Sequence, residues 1–162
     1  MTKTACVFPG QGSQSVGMLK ELADSYPQIE ATFKEASDVL GYDLWDLVQN
    51  DTDGKLNETH ITQPALLTAS VATWRVLREQ GLDVDYLAGH SLGEYSALVC
   101  GGALAFTDAV KLVEARGQFM QEAVPAGAGA MYAIIGLDDN AIADICQQTA
   151  IATGDVVAPV NF

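Results

Sequence analysis

The stretch Tyr86-Leu87-Ala88-Gly89-His90-Ser91-Leu92-Gly93 decides the fold that this sequence predicts. A short apolar run leads into the pattern G-x-S-x-G, and a helical pattern continues from Glu94 to Cys100. This is the order of a strand, a sharp turn that exposes a serine hydroxyl, and a helix whose free amides stabilise negative charge. Because glycine and serine are common, the pattern alone is weak, but this setting favours Ser91 as a nucleophile over a structural turn.

The flanking segments predict an α/β protein. Thr4 to Phe8 is a second short apolar run and reads as a strand that ends in a glycine loop. The predicted helices are Gly17 to Leu40 with a break near Pro27, Asp43 to Val48, Thr62 to Gly81 with Pro64 in the first turn, Glu94 to Cys100, Asp108 to about Ala123 capped by Thr107, and Asp138 to about Ala152 capped by Asp138. Apolar runs at Met131 to Leu137 and Val156 to Phe162 predict two further strands. Strands that alternate with helices indicate parallel crossover units.

One linker candidate divides the chain. Pro125 to Gly129 reads PAGAG, which predicts a first subdomain over residues 1–124 and the start of a smaller strand-helix-strand subdomain over 125–162. The chain ends on an apolar strand, which would leave an open sheet edge. We therefore expect it to be the N-terminal part of a longer protein, with both subdomains incomplete.

Charge and cysteine content exclude several functional classes. A formal net charge of −13 argues against nucleic acid and against an anionic membrane surface as partners. The three cysteines form no C-x-x-C pair, so neither a disulfide framework nor a metal site is predicted. We see no signal peptide and no apolar run of about 18 residues, and expect a cytoplasmic protein.

The first glycine loop, Gly10-Gln11-Gly12, leaves two interpretations open. It lacks the Lys-Ser or Lys-Thr of a Walker A loop, and Ser15 stands where a dinucleotide-binding loop needs its third glycine. The loop is therefore either an ordinary tight turn or a donor of one backbone amide to an oxyanion hole.

Arg116 is the most informative charged residue. It falls on a helical stripe that otherwise holds apolar residues, namely Ala109, Leu112, Val113 and Met120. A guanidinium in such a place needs a partner, which would be either an acidic side chain of the protein or the carboxylate of a substrate. The two histidines are weaker candidates: His60 lies in a polar segment, and His90, next to Ser91, is poorly placed to be its general base.

Five blocks of sequence together resemble one family. They are, in chain order, Phe8-Pro9-Gly10-Gln11-Gly12-Ser13-Gln14, Gln63-Pro64-Ala65, Gly89-His90-Ser91-Leu92-Gly93-Glu94-Tyr95, Arg116-Gly117 and Pro159-Val160-Asn161. This series resembles the malonyl-CoA:acyl carrier protein transacylases, above all the standalone bacterial form of fatty acid synthesis. The resemblance runs from Thr4 to Phe162 and is far more specific than the serine pattern alone.

The resemblance implies a hydrolase-like parallel sheet with helices, into which a small ferredoxin-like α+β subdomain is inserted. It implies that Ser91 carries the acyl group and that the backbone amides of Gln11 and Leu92 form the oxyanion hole. Arg116 would bind the free malonyl carboxylate, Gln63 would line the site and Asn161 would lie nearby. His90 and Met120 complete the substrate-binding set that we predict.

The resemblance also implies a catalytic histidine and a partner that orients it, in a C-terminal portion beyond these 162 residues. We therefore expect the isolated chain to be nearly inactive. The implied substrate is malonyl-CoA and the implied partner is acyl carrier protein, with no cofactor, no metal and a monomeric complete enzyme. Two alternatives stay open: a serine esterase or thioesterase, and a non-catalytic fragment that only binds a carrier protein.

Overall fold

The computed structural model describes residues 3–124 and 128–162, and the chain divides into two compact units, Met1–Ala126 and Gly127–Phe162. The predicted linker, Pro125 to Gly129, lies largely outside the described residues. Within the described part of the chain, no helix combines the length and the apolar character that crossing a membrane requires.

The first unit is an α/β structure built around two parallel strands. Its elements are β1 (Ala5–Phe8), α1 (Lys20–Ser25), α2 (Gln28–Leu40), α3 (Leu44–Asn50), α4 (Thr59–Glu79), β2 (Tyr86–Gly89), α5 (Leu92–Cys100) and α6 (Phe106–Glu122). β1 pairs with β2 in a parallel register that sets Phe8 opposite Gly89. Because the strands are parallel, the loops that follow both of them begin at the same edge of the sheet. This edge carries the glycine loop and the serine turn.

α4 is the central helix of the first unit, because it packs against α2, α5 and α6. Its buried side chains include Gln63, Leu67 and Val71. Apolar side chains of α2 and α6, such as Phe33 and Val113, close the same core. Since residues of α4 are buried on several sides, a polar side chain there needs a partner inside the protein.

Two predicted details of the first unit are wrong. α4 begins at Thr59 and not at Thr62, so Pro64 lies in the second turn rather than the first, where it cannot donate to the carbonyl of His60. α6 begins at Phe106 behind Ala105, so Thr107 lies inside the helix and does not cap it. In both cases the helix starts one or more residues before the residue that propensity favours as its start.

Within residues 128–162, the second unit holds one helix, α7 (Asp139–Thr153). The predicted cap is confirmed, since the Asp138 carboxylate accepts a hydrogen bond from the amide of Asn140 at 2.9 Å. The two strands predicted at Met131 to Leu137 and Val156 to Phe162 do not form among the described residues, and their apolar side chains are exposed, with Ile135 at 93% and Val156 at 99%. β-propensity needs a neighbouring strand to act on, and these runs have none among the described residues.

Candidate active site

Ser91 lies in a strained turn between β2 and α5. Its backbone has φ 53° and ψ −107°, in a region that non-glycine residues rarely occupy. The two flanking glycines make the turn possible. A Cβ on Gly93 would overlap the carbonyl oxygen of Phe8 and lie 2.9 Å from that of Pro9, while a Cβ on Gly89 would overlap the carbonyl group of Gly93. The strand-turn-helix arrangement predicted from the sequence is confirmed.

The position of Ser91 at the start of α5 favours negative charge beside it. Leu92 is the first helical residue and is fully buried, and an N–H at that position has no partner within its own helix. The helix dipole adds a partial positive charge at the same end. An oxyanion that formed next to Ser91 would thus meet a free amide.

The glycine loop after β1 lies against the serine turn. The amide of His90 donates to the Phe8 carbonyl at 3.2 Å, and a Cβ on Gly10 would come within 3.0 Å of both the carbonyl oxygen and Nδ1 of His90. Gln11, which follows, is exposed. The predicted amide donor is therefore in the loop that touches the serine turn.

Hydrogen bonds to side chains hold this loop in shape. The Gly12 amide donates to Oε1 of Gln14 at 2.8 Å, and the hydroxyl of Ser13 donates to the Gly10 carbonyl at 2.9 Å. Nε2 of Gln14 in turn donates to Oδ1 of Asn57 at 2.8 Å. A loop fixed in this way can keep a backbone amide in one orientation.

Arg116 reaches Ser91 from α6. Nη2 of Arg116 donates to Oγ of Ser91 at 3.1 Å, and Nη1 donates to Oε1 of Gln63 at 2.7 Å. The guanidinium carbon also lies 5.6 Å from the centre of the Tyr95 ring, within the range of a cation–π interaction. The structure therefore brings together three of the predicted residues, Ser91, Gln63 and Arg116, across three helices.

Arg116 makes no ion pair with a carboxylate anywhere in residues 3–124 and 128–162. Glu114, close to it in sequence, has a raised pKa because burial penalises its charge, and the interaction with His60 only partly offsets this rise. The structural salt bridge considered from the sequence is thus absent among the described residues. One full positive charge lies beside the serine hydroxyl in a protein with a net charge of −13.

Gln63 connects Arg116 to Met120. The Gln63 side chain is fully buried, and its Nε2 donates to Sδ of Met120 at 3.4 Å. Since the NH₂ group is directed at the sulfur, the carbonyl oxygen faces the guanidinium. Met120 therefore contacts the site indirectly, because its sulfur accepts the hydrogen bond that orients Gln63.

The apolar stripe predicted on α6 is only partly right. Leu112 and Met120 are each 47% exposed, while the buried face of the helix also includes Val110 and Gly117. Arg116 consequently lies at the border of the buried face, beside a groove of about 300 Å³ lined by Leu112, Ala115, Arg116, Phe119, Met120 and Ala123. The buried face of α6 is therefore centred closer to Val110 and Gly117 than the sequence predicted, and Leu112 and Met120 lie on the solvent side of it.

Neither histidine is bonded to Ser91 among the described residues. The only hydrogen bond to Oγ of Ser91 in that part of the chain comes from Arg116. Nδ1 of His90 faces Gly10, and His60 lies on α4 with its Nε2 3.6 Å from Glu58. Asn161 belongs to the second unit, so its predicted place in the site stays a prediction.

Sequence reasoning assigned no role to Tyr95 or Gly117. Tyr95 lies in the first turns of the helix that follows Ser91, and the sequence already predicted that helix. Gly117 allows a close helix crossing: a Cβ there would overlap Cα of His60 and lie 2.7 Å from the carbonyl oxygen of Thr59. No local pattern could indicate that contact, because its partner lies on α4.

A family profile described as "Acyl transferase domain" matches residues 5–158 of this chain. The chain belongs to this acyltransferase family. The geometry agrees, since an exposed serine at a helix N-terminus with a neighbouring free amide is suited to acyl transfer.

The acyltransferase chain is 64% identical over 163 residues to the malonyl CoA-acyl carrier protein transacylase of Salmonella typhimurium. It is 50% identical over 162 residues to the protein of the same name from Bacillus subtilis. Both matches cover 100% of the chain but only 52% and 51% of those proteins. The acyltransferase chain thus spans about half the length of the curated relatives it matches.

Solved structures show the same fold. An acyl carrier protein S-malonyltransferase from Vibrio cholerae is similar to the acyltransferase chain with a TM-score of 0.92 and 64% identity, over 99% of this chain and 52% of that one. A solved complex of a type II PKS acyl-carrier protein with its malonyl-transacylase contains a similar chain, with a TM-score of 0.95 and 59% identity over 99% of this chain and 52% of that one. The α/β acyltransferase fold is therefore established at high identity.

Proposed function

We propose that this chain carries the nucleophile and the carboxylate-binding residue of an enzyme that moves malonyl from malonyl-CoA to the phosphopantetheine thiol of acyl carrier protein, in fatty acid biosynthesis. One observation carries the proposal: Nη2 of Arg116 lies 3.1 Å from Oγ of Ser91 without a carboxylate partner among the described residues. The names of relatives at 50–64% identity support the same substrate and acceptor.

The reaction has two acyl transfers. Oγ of Ser91 attacks the thioester carbonyl, the C–S bond breaks, and CoA leaves as a thiol after it takes up a proton. The pantetheine thiol then gives up its proton and attacks the serine ester, the C–O bond to Oγ breaks, and Oγ takes up a proton, which restores the Ser91 hydroxyl. Both steps need a general base, and the family resemblance puts that histidine outside these 162 residues. This chain itself contributes no metal and no prosthetic group to the proposed chemistry; the pantetheine belongs to the carrier protein.

We assign the oxyanion hole to the backbone amides of Leu92 and Gln11. The Leu92 amide begins α5 at the serine, and the loop that contains Gln11 lies against His90. Each donor in such a hole typically accelerates the reaction by about 10²–10³. His90, whose carbonyl and ring face Gly10, keeps the loop and the serine turn together.

We assign recognition of the malonyl carboxylate to Arg116. A substrate carboxylate would take the place of the Ser91 hydroxyl on Nη2, while Gln63 keeps Nη1 in position. A hydrogen bond to a charged group contributes about 1.5–3 kcal/mol, which corresponds to a preference for malonyl over acetyl of roughly ten- to a hundredfold. Met120 would line the same substrate site, and the family resemblance implies a role near the substrate for Asn161.

The finer fold follows from the same proposal. We infer that residues 1–124 belong to a hydrolase-like subdomain and residues 125–162 to the first part of a small ferredoxin-like one. The division of the chain into units at residues 126 and 127 supports this boundary. We also propose that the complete enzyme is a cytoplasmic monomer.

Intact-protein mass spectrometry after incubation with malonyl-CoA tests the function. Because loss of a general base costs about 10²–10⁴ in rate, we expect one slowly formed malonyl adduct on the 162-residue chain, absent in Ser91→Ala. In Arg116→Ala, the malonyl adduct should form more slowly while an acetyl adduct from acetyl-CoA is unaffected. An unchanged malonyl to acetyl ratio would contradict the role of Arg116.

The acceptor separates the alternatives. When holo acyl carrier protein is added to the malonylated chain, acylated carrier protein supports the transferase, whereas free malonate would indicate an esterase or thioesterase. Affinity for the carrier protein without any adduct on Ser91 would indicate a fragment that only binds. Calorimetric titration with malonyl-CoA and acetyl-CoA measures the preference of Arg116 for a carboxylate without requiring turnover.

A further inference from the structure

We infer that Gly117 is a positioning residue for Arg116, because the backbone contact that it permits between α6 and α4 sets how far the guanidinium reaches. The inference deepens the proposed function and rests on the role given there to Arg116. It concerns a residue without a side chain, one that touches neither the serine nor the substrate.

The contact at Gly117 is between backbones. A Cβ at this position would overlap Cα of His60 and lie 2.7 Å from both the His60 amide nitrogen and the Thr59 carbonyl oxygen. None of these atoms belongs to a flexible side chain that could move aside, so an added methyl group must push α6 away from the start of α4. Ordinary van der Waals contacts of a Cβ begin at about 3.4 Å, so relief of the overlap with Cα of His60 requires a displacement on the order of 1 Å.

This displacement would act directly on the arginine. Arg116 precedes Gly117 on α6, and Gln63 lies one turn beyond His60 on α4, so the crossing and the hydrogen bond from Nη1 to Oε1 are adjacent. That bond is 2.7 Å long, and the bond to Oγ of Ser91 is 3.1 Å. If both lengthen by about 1 Å they exceed the range of a hydrogen bond.

Met120, four residues further along α6, and Tyr95 on α5 restrain the arginine from other sides. Met120 takes the Nε2 donor of Gln63 at 3.4 Å, and the Tyr95 ring faces the guanidinium at 5.6 Å. These contacts restrain the orientation of the Arg116 side chain, whereas the spacing of α6 and α4 at Gly117 sets the distance from its guanidinium to Gln63 and Ser91. A small residue is therefore required next to the arginine for a geometric reason and not for flexibility, since Gly117 lies in mid-helix.

The experiment is a nuclear magnetic resonance measurement on the arginine side chains. The chain has three arginines, Arg75, Arg78 and Arg116, so three Nε–Hε signals are expected. In Gly117→Ala, the signal of Arg116 should shift and exchange faster with water. The signals of Arg75 and Arg78, which are held by Glu35 and Asp83, should not move. An unmoved Arg116 signal in the folded variant overturns the inference.

A binding measurement links the position of the arginine to its role. The preference for malonyl-CoA over acetyl-CoA should fall by about tenfold in Gly117→Ala, and the double variant with Arg116→Ala should lose no more than Arg116→Ala alone. Additive losses would show that Gly117 does not act through Arg116. If the unmodified chain has no malonyl preference, the proposed function fails, while the arginine signals still decide the role of Gly117.

Gly41→Ala is the matched control. It places a methyl group at φ +81° in open space after α2, so it lowers stability without touching the site. It should leave both the Arg116 signal and the malonyl preference unchanged. If Gly117→Ala is not fully folded, the spectra are recorded with a stabilising osmolyte. A chain that remains unfolded there overturns the inference, because the contact would then decide folding and not the place of Arg116.

Discussion

Replacing Gln63 by leucine should lower malonyl preference without lowering stability. Gln63 is fully buried, accepts from Arg116 at 2.7 Å and donates to Met120 at 3.4 Å. Leucine has a similar size and fills the site, but it offers the guanidinium no oxygen. Arg116 would keep its charge and lose the contact that directs it.

The magnitude of the effect follows from burial. A hydrogen bond to a charged group contributes about 1.5–3 kcal/mol, but Arg116 is only partly buried, so water recovers a share and we expect a net loss of about 1 kcal/mol. At 1.4 kcal/mol per factor of ten, the malonyl to acetyl ratio should fall about fivefold. The free energy of unfolding should change by less than about 1 kcal/mol, because apolar burial offsets the lost hydrogen bonds.

Two measurements check this prediction together: calorimetric affinities for malonyl-CoA and acetyl-CoA, and urea denaturation. Gln49→Leu is the matched control, because Gln49 donates to the Met18 carbonyl at 3.0 Å and has no hydrogen bond to the site residues. Its malonyl to acetyl ratio should equal that of the unmodified chain. If Gln63→Leu is strongly destabilised while its ratio is unchanged, Gln63 is a structural residue and the reasoning is refuted.

Three further predictions concern the elbow and the buried polar groups. Gly93→Ala should lower the free energy of unfolding by about 1–3 kcal/mol in urea, since its Cβ would overlap the carbonyl oxygen of Phe8, and an effect below about 0.5 kcal/mol would show that the turn yields easily. Ser96→Ala should leave thermal stability unchanged or raise it, because the buried Oγ has no hydrogen-bond partner among the described residues, whereas a clear loss would reveal a missed partner. Burial raises the pKa of the Cys100 thiol from 9.0 to about 12, so its protonated form is favoured in the folded state. Stability should therefore decline as the pH rises from 9 toward 12, and Cys100→Ala should reduce that decline in pH-dependent denaturation.

Local chemistry made several features predictable from sequence. The elbow at Ser91 needs glycines and a short apolar run within eight residues, and the Asp138 cap needs one side chain and an amide two residues away. The interactions that stabilise these short patterns join residues close in sequence, so the patterns predict structure before the packing is known. The family blocks then added further candidate residues, including Gln63 and Asn161.

The ends of helices and the two expected strands show where local patterns fail. Pro64 suits a first turn, yet α4 begins at Thr59, because burial of Ile61 and Thr62 in the helix outweighs the preference of one proline. The apolar runs at residues 131–137 and 156–162 have the composition of strands, but a strand exists only with a hydrogen-bonded neighbour. Composition therefore predicted that these segments favour extended structure, and not whether they pair into a sheet.

By itself, the sequence determined the serine turn, most of the helices and the presence of an arginine on a helix close to an apolar face. Only the tertiary structure decided which groups that arginine contacts, because its partners Gln63 and Ser91 lie 53 and 25 residues away. The distances of 2.7 and 3.1 Å depend on how closely α6 approaches α4 at Gly117. Such spacing results from packing among whole helices, and no segment of the chain specifies it alone.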